Sequence, residues 1–112
     1  LDHAALERAR GLLDHRRAVV RSGELEAVAG LSRYELARQF RVAYGTSPHR
    51  YSLMRRLDYA RRWLRDGEPL AEVARDAGCA DQAHFTRVFG AAYGVTPGRY
   101  ARLCVAGGPA AT

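Results

Sequence analysis

The chain contains no lysine. All 18 basic residues are arginine, set against 12 acidic ones, so the formal net charge is +6 and the pI about 10.0. Codon usage of a GC-rich genome accounts for the choice of arginine. The excess positive charge remains, and it calls for an acidic partner. Arginine suits that task because its planar fork of donors matches phosphate oxygens and guanine edges. Cysteine is nearly absent too. Cys79 and Cys104 form no CxxC pair, which excludes a disulfide framework and a thiolate metal site and fits a reduced compartment. His3, His15, His49 and His84 lack metal-ligand spacing, so neither metal nor cofactor is expected. No run approaches the ~20 apolar residues of a membrane span, and no signal peptide opens the chain. A cytoplasmic protein with no membrane partner is expected. Leu1 stands where a full-length protein would begin with Met, which points to a piece of a longer protein.

Strand-like alternation is also missing, which leaves an all-α fold. At 112 residues the chain is long enough to bury one helical core without staples. What it does have is a sentence written twice. Phe40-Arg41-Val42-Ala43-Tyr44-Gly45-Thr46-Ser47-Pro48-His49-Arg50-Tyr51 returns as Phe89-Gly90-Ala91-Ala92-Tyr93-Gly94-Val95-Thr96-Pro97-Gly98-Arg99-Tyr100, a shift of 49 positions. Arg38 and Arg87 extend the match upstream. A repeated unit implies a repeated structural job.

Helical spacing predicts seven helices. The first covers residues 4–20 and buries Ala5, Leu6, Ala9, Leu12, Leu13 and Val19-Val20. A short one runs from Glu24 to Ala29 and stops at Gly30. Ser32 and Glu35 read as a capping box before a helix that packs Leu36, Phe40 and Ala43 or Tyr44 inward and ends at Gly45. Ser47-Pro48 starts the longest helix, to about Asp66, with Leu53, Leu57, Ala60 and Leu64 inside and Arg55, Arg56, Arg61, Arg62 and Arg65 on its solvated remainder. Pro69–Ala77, a helix capped by Asp81 and ended by Gly94, and a last helix from Thr96-Pro97 through Leu103 complete the set. Residues 106–112 read as a flexible tail.

Each repeat is a short helix, a glycine-containing turn and a capped second helix, which is the helix-turn-helix pattern. In that device the second helix enters the major groove. With Leu36 and Phe40 inside, Tyr34, Ala37, Arg38 and Arg41 face out. The second set is Ala83, Thr86, Arg87 and Gly90, with Gln82 beside it. Arg pairs with guanine, Gln with adenine, and a Thr methyl touches thymine. The four tyrosines Tyr44, Tyr51, Tyr93 and Tyr100 are expected to pack in the core or at hinges, and Trp63 at its boundary. Cys79 and His84 lack a third orienting group, so no enzymatic activity is expected. The core reads as too small for an effector pocket.

The stretch Leu70-Ala71-Glu72-Val73-Ala74-Arg75-Asp76-Ala77-Gly78-Cys79-Ala80-Asp81-Gln82-Ala83-His84-Phe85-Thr86-Arg87-Val88-Phe89, with Tyr93-Gly94-Val95-Thr96-Pro97 and Tyr100, resembles the signature of the AraC/XylS family of bacterial transcription regulators. Gly30-Leu31-Ser32-Arg33-Tyr34-Glu35-Leu36, Phe40, Gly45 and Ser47-Pro48 fit the same pattern. The resemblance spans residues 4–103. It implies a homeodomain-like domain over 1–105, with helix-turn-helix units at about 22–45 and 69–94 joined by a long central helix. It implies double-stranded promoter or operator DNA as partner. DNA contacts carry over to Tyr34, Arg38, Gln82, Ala83, Thr86 and Arg87, and less directly to Arg33, Ala37 and Arg41. The helix starts at Pro48 and Pro97, with His49, Arg50 and Arg99, would meet phosphates. Two recognition helices would enter successive major-groove segments ~34 Å apart. RNA polymerase, a separate N-terminal effector and dimerisation domain, and a place on the nucleoid are implied as well. Ala83 departs from the family, in which some relatives carry a base-reading polar side chain there. Two further positions depart: Ser22 for Leu and Glu26 for Ala. Both are expected to weaken packing of the first unit, and they motivate the alternative of a helical protein–protein interaction module with degenerate DNA binding.

Overall fold

The computed structural model describes residues 1–16 and 18–107. Among them the chain forms seven α-helices and no strand: α1 His3–His15, α2 Ser22–Ala29, α3 Arg33–Tyr44, α4 Pro48–Arg65, α5 Leu70–Asp76, α6 Gln82–Tyr93 and α7 Pro97–Gly107. Two compact units divide inside α4, one covering Leu1–Arg55 and the other starting at Arg56.

In the first unit, Asp2 caps α1 by accepting from the Ala5 amide at 3.0 Å. Ala5, Leu6, Ala9 and Leu13 then lie on one buried stripe. They meet Leu25 and Ala29 of α2 and Leu36 and Phe40 of α3 in one apolar cluster, each large side chain contributing roughly 1.5–3 kcal/mol of burial. The first helix is shorter than its pattern implies. The Arg16 amide closes α1 on the Leu12 carbonyl, and Arg16 itself is extended. Val20 still packs on the cluster from the connection. Its apolar character marks burial, and the periodic pattern mistook that for helix.

The second unit uses the same plan. Leu57, Ala60 and Leu64 of α4, Val73 and Ala74 of α5, and Phe85 and Phe89 of α6 are buried, with Ala77 between α5 and α6. Leu53, expected in this stripe, is only half-buried, and Ser52 and Arg56 are buried instead. Arg56 is the larger correction. Its guanidinium donates to the Ala77 carbonyl, and burial pulls its pKa down. The carbonyl end of a short helix needs donors, and Arg56 supplies one from α4. Arg8 of α1 does the same for α2, giving Nε to the Val28 carbonyl and Nη2 to the Ala29 carbonyl, both at 2.9 Å.

The correspondence reaches the aromatic rings. Phe40 meets Tyr44 and Tyr51 edge-on at 4.6 and 5.5 Å. Phe89 meets Tyr93 and Tyr100 at 4.8 and 5.7 Å. Arg10 lies over the Tyr44 ring and Arg61 over the Tyr93 ring. Tyr51 donates to Asp14, and Tyr93 donates to Asp58 at 2.7 Å. Burial, then the Asp14 hydrogen bond, pushes the Tyr51 hydroxyl up to about 12, and the Tyr93 hydroxyl shifts the same way for the same reasons. Both stay protonated donors near neutral pH. Trp63 is half-buried and stacks on Tyr59. The last helix includes Ala106 and Gly107, which were expected in the flexible tail; residues 108–112 lie outside the described ones.

Candidate nucleic-acid interface

Each unit presents its second helix-turn-helix helix from a capped start. In the first unit, Gly30 turns the chain after α2 with φ +74, a conformation that side chains other than glycine resist. Ser32 Oγ then accepts the Glu35 amide at 3.2 Å. The reciprocal half of the expected capping box is not made, because the Glu35 carboxylate turns to Arg38 and Gln39 instead. The Arg33 amide that opens α3 is satisfied from elsewhere. Glu26 accepts it at 3.0 Å and also pairs with the Arg33 guanidinium at 3.4 Å. Glu26 therefore does not loosen the unit; it fastens α2 to the first turn of α3, where negative charge also suits the helix dipole.

On α3, Tyr34 is 82% exposed, and Arg38 and Arg41 are exposed on the same stripe. Ala37 is half-buried, and Leu36 is buried beneath the stripe. The inner side holds Gln39 as well as Leu36 and Phe40; Ala43, expected as a candidate for burial, is exposed. Arg33 is exposed but held by Glu26.

The second unit shows a parallel surface with different partners. Asp81 caps α6 by accepting the His84 amide at 2.7 Å, and the His84 ring accepts from the Ala80 amide at 3.3 Å. Gln82, Ala83 and Arg87 are exposed. Thr86 is half-buried, and its hydroxyl donates back to the Gln82 carbonyl at 2.9 Å, which fixes the side chain. Among the described residues Arg41, Arg50, Arg87 and Arg99 form no ion pair with a carboxylate, unlike Arg33 and Arg38.

The helix starts at Pro48 and Pro97 differ from the sequence expectation. The Arg50 amide is taken by Ser47 Oγ and the Arg99 amide by Thr96 Oγ1, each at 3.1 Å. Proline has no amide hydrogen. The His49 and Gly98 amides are what remains for an outside acceptor, together with the exposed side chains of His49, Arg50 and Arg99.

An open groove of about 210 Å³ runs along the first unit, between Leu13, Val20, Leu25, Leu36 and Pro48 and the exposed Val19, Ser22, Arg33 and His49. Ser22 stands where the second unit has Leu70, so the missing leucine leaves space. Ser22→Leu is expected to fill part of it and raise stability by about 1 kcal/mol, read from urea denaturation. A loss of stability would show that the wall cannot accept the added volume.

Residues 25–103 match the family described as a helix-turn-helix domain. The chain belongs to the AraC-type helix-turn-helix family. Among its curated relatives, the probable transcriptional regulator LumQ of Photobacterium leiognathi is 33% identical over 87 residues, 77% of this chain and 35% of LumQ. The transcriptional activator NphR of a Rhodococcus species is 35% identical over 78 residues, 69% of this chain and 23% of NphR. The chain thus spans about a third or less of these relatives. Among solved structures, an AraC-type regulator from Chromobacterium violaceum superposes with a TM-score of 0.82 at 23% identity, over 93% of this chain and 95% of that one. A probable AraC family regulator from Rhodopseudomonas palustris gives 0.82 at 21% identity, over 90% and 97%. Those two likenesses establish the fold. DNA binding in transcription regulation is the activity of the family to which the chain belongs. No helix among the described residues is long and apolar enough to cross a membrane.

Proposed function

We propose that α3 and α6 are recognition helices that read the major groove of promoter or operator DNA, one block of bases each. The observation that carries this reading is the pair of outward stripes, the exposed Tyr34-Arg38-Arg41 and the exposed Gln82, Ala83 and Arg87 beside half-buried Thr86, on two capped helices that occupy the same place in two copies of one unit. Arg38 and Arg87 are assigned to guanine, Gln82 to adenine, and the Thr86 methyl with Ala83 to thymine. Ala37 shapes the approach from its half-buried place. Arg41, His49, Arg50 and Arg99, with the His49 and Gly98 amides, are assigned to phosphates. Arg33 serves α3 through Glu26 first and a phosphate second. In the longer regulator a separate effector-sensing and dimerising domain and RNA polymerase complete the partners. The interaction-module alternative rested on Ser22 and Glu26, and Glu26 caps the helix that reads.

Phosphate contacts release counterions, so the reading predicts a steep salt dependence. With the three or four arginines assigned to phosphates, affinity for duplex DNA is expected to fall by about a hundredfold between 50 and 200 mM salt, as measured by fluorescence anisotropy. Binding that ignores salt, or no binding at 50 mM, would contradict it.

A further inference from the structure

We infer that Glu35 is a positioning residue for base readout: it grips one edge of the Arg38 guanidinium so that the other edge is presented to guanine. The inference rests on the proposed role of Arg38 and adds to it the group that aims it.

A guanidinium has five N–H donors in a fixed plane. Glu35 occupies the side-on edge. Arg38 Nε donates to Oε2 at 3.3 Å, and Arg38 Nη2 donates to Oε1. The two Nη1 hydrogens and the second Nη2 hydrogen remain. Nη1 and Nη2 together form the end-on edge, two parallel donors that match guanine O6 and N7. An arginine held in this way cannot fold back onto a phosphate without giving up the carboxylate.

The carboxylate is itself held. Gln39 Nε2 donates to Glu35 Oε1 at 2.9 Å. Gln39 is buried at 7% exposure, and its Oε1 accepts the Asp2 backbone amide at 2.7 Å. Only one amide orientation satisfies both partners, since the Asp2 N–H needs an acceptor and the carboxylate needs a donor. A continuous hydrogen-bonded series therefore runs from the start of α1 through Gln39 and Glu35 to Arg38. The Arg38 hydrogen bond first, and the Gln39 one next, bring the Glu35 carboxyl down to about 2, so it is ionised wherever DNA is bound.

The second unit lacks this device. The positions matching Glu35, Arg38 and Gln39 in the repeat are His84, Arg87 and Val88. The His84 ring is engaged with the Ala80 amide, and Arg87 has no carboxylate partner among the described residues. Arg87 is free to choose between base and phosphate; Arg38 is not. The first unit is thus the stricter reader of guanine, and the second the more tolerant one.

The test compares guanine discrimination at the Arg38 base pair for the wild-type chain, Glu35→Ala, Glu35→Gln and Arg38→Ala. Each is measured by competition between duplexes that differ at that pair. Glu35→Ala is expected to lose about tenfold in discrimination while its affinity for non-specific duplex rises, because a negative charge beside the phosphates is gone. Glu35→Gln, which keeps an acceptor oxygen, is expected to recover part of the discrimination. A purely structural role for Glu35 would lower all affinities together and shift the urea midpoint. If Arg38→Ala leaves discrimination intact, the base-reading role of Arg38 is wrong. If Arg38→Ala abolishes discrimination and Glu35→Ala preserves it, Arg38 reads guanine unaided and the positioning role is overturned.

Discussion

Phe89→Ala is expected to remove about 3–5 kcal/mol from the stability of the second unit. The ring has no exposure to solvent. It contacts Phe85 at 5.5 Å, Tyr93 at 4.8 Å and Tyr100 at 5.7 Å. Truncation strips the contact from all three and leaves a void that helices carrying other packed side chains cannot collapse to fill. Tyr93 would lose the packing that holds its hydroxyl on Asp58, 2.7 Å away. Trp63 is the single tryptophan of the chain and lies in the affected unit. Its fluorescence in urea therefore reports the transition directly. Domains of this size have only about 5–15 kcal/mol in hand, so DNA affinity should fall with it. A midpoint shift equivalent to less than about 1 kcal/mol would mean that the ring cluster is not the structural centre of the unit.

Arg38→Ala and Arg87→Ala are expected to erase sequence preference at different places. Each should cost about tenfold to a hundredfold in discrimination at its own base pair and leave the preference of the other unit in place. The expectation follows from the repeat: each arginine stands at the same position of an equivalent helix, but in a different copy of the unit. A phosphate-binding arginine gives a different result, with affinity weakened uniformly over all sequences and a shallower salt slope. Arg50→Ala is the control assigned to that behaviour. Uniform loss from Arg38→Ala or Arg87→Ala would move that arginine to the backbone-contacting class.

The seven helices were legible because the chain marks their ends. Gly30, Gly45 and Gly94 each adopt positive φ directly after a helix, and Ser32, Ser47, Asp81 and Thr96 each accept an amide of the first turn. The outward positions of Tyr34, Arg38, Gln82 and Arg87 followed from the period of the helix alone. What escaped was the company the charged residues keep. Arg56 reads as one more solvated arginine on a basic helix, yet it is buried because α5 needs a donor for its last carbonyls. Glu26 reads as a fault in an apolar stripe, and it caps α3. Glu35 reads as half of a capping box, and Arg38 and Gln39 outcompete the Ser32 amide for it. Each of these depends on a partner that helical periodicity does not rank. The repeat was also longer than its spelling. Leu6, Ala9 and Leu13 correspond in role to Leu57, Ala60 and Leu64, but the connections that follow differ in length, so the offset changes and the match fades from view.

The measurement that bears most directly on the central claim is selection of this chain against a randomised duplex library at low salt, followed by sequencing of the bound fraction. Two helices that both read bases predict an enriched motif with two separate conserved blocks, with Arg38→Ala relaxing one base pair of the first and Arg87→Ala one base pair of the second. Bound DNA with no enriched motif, or no bound DNA, would contradict the claim that α3 and α6 read sequence.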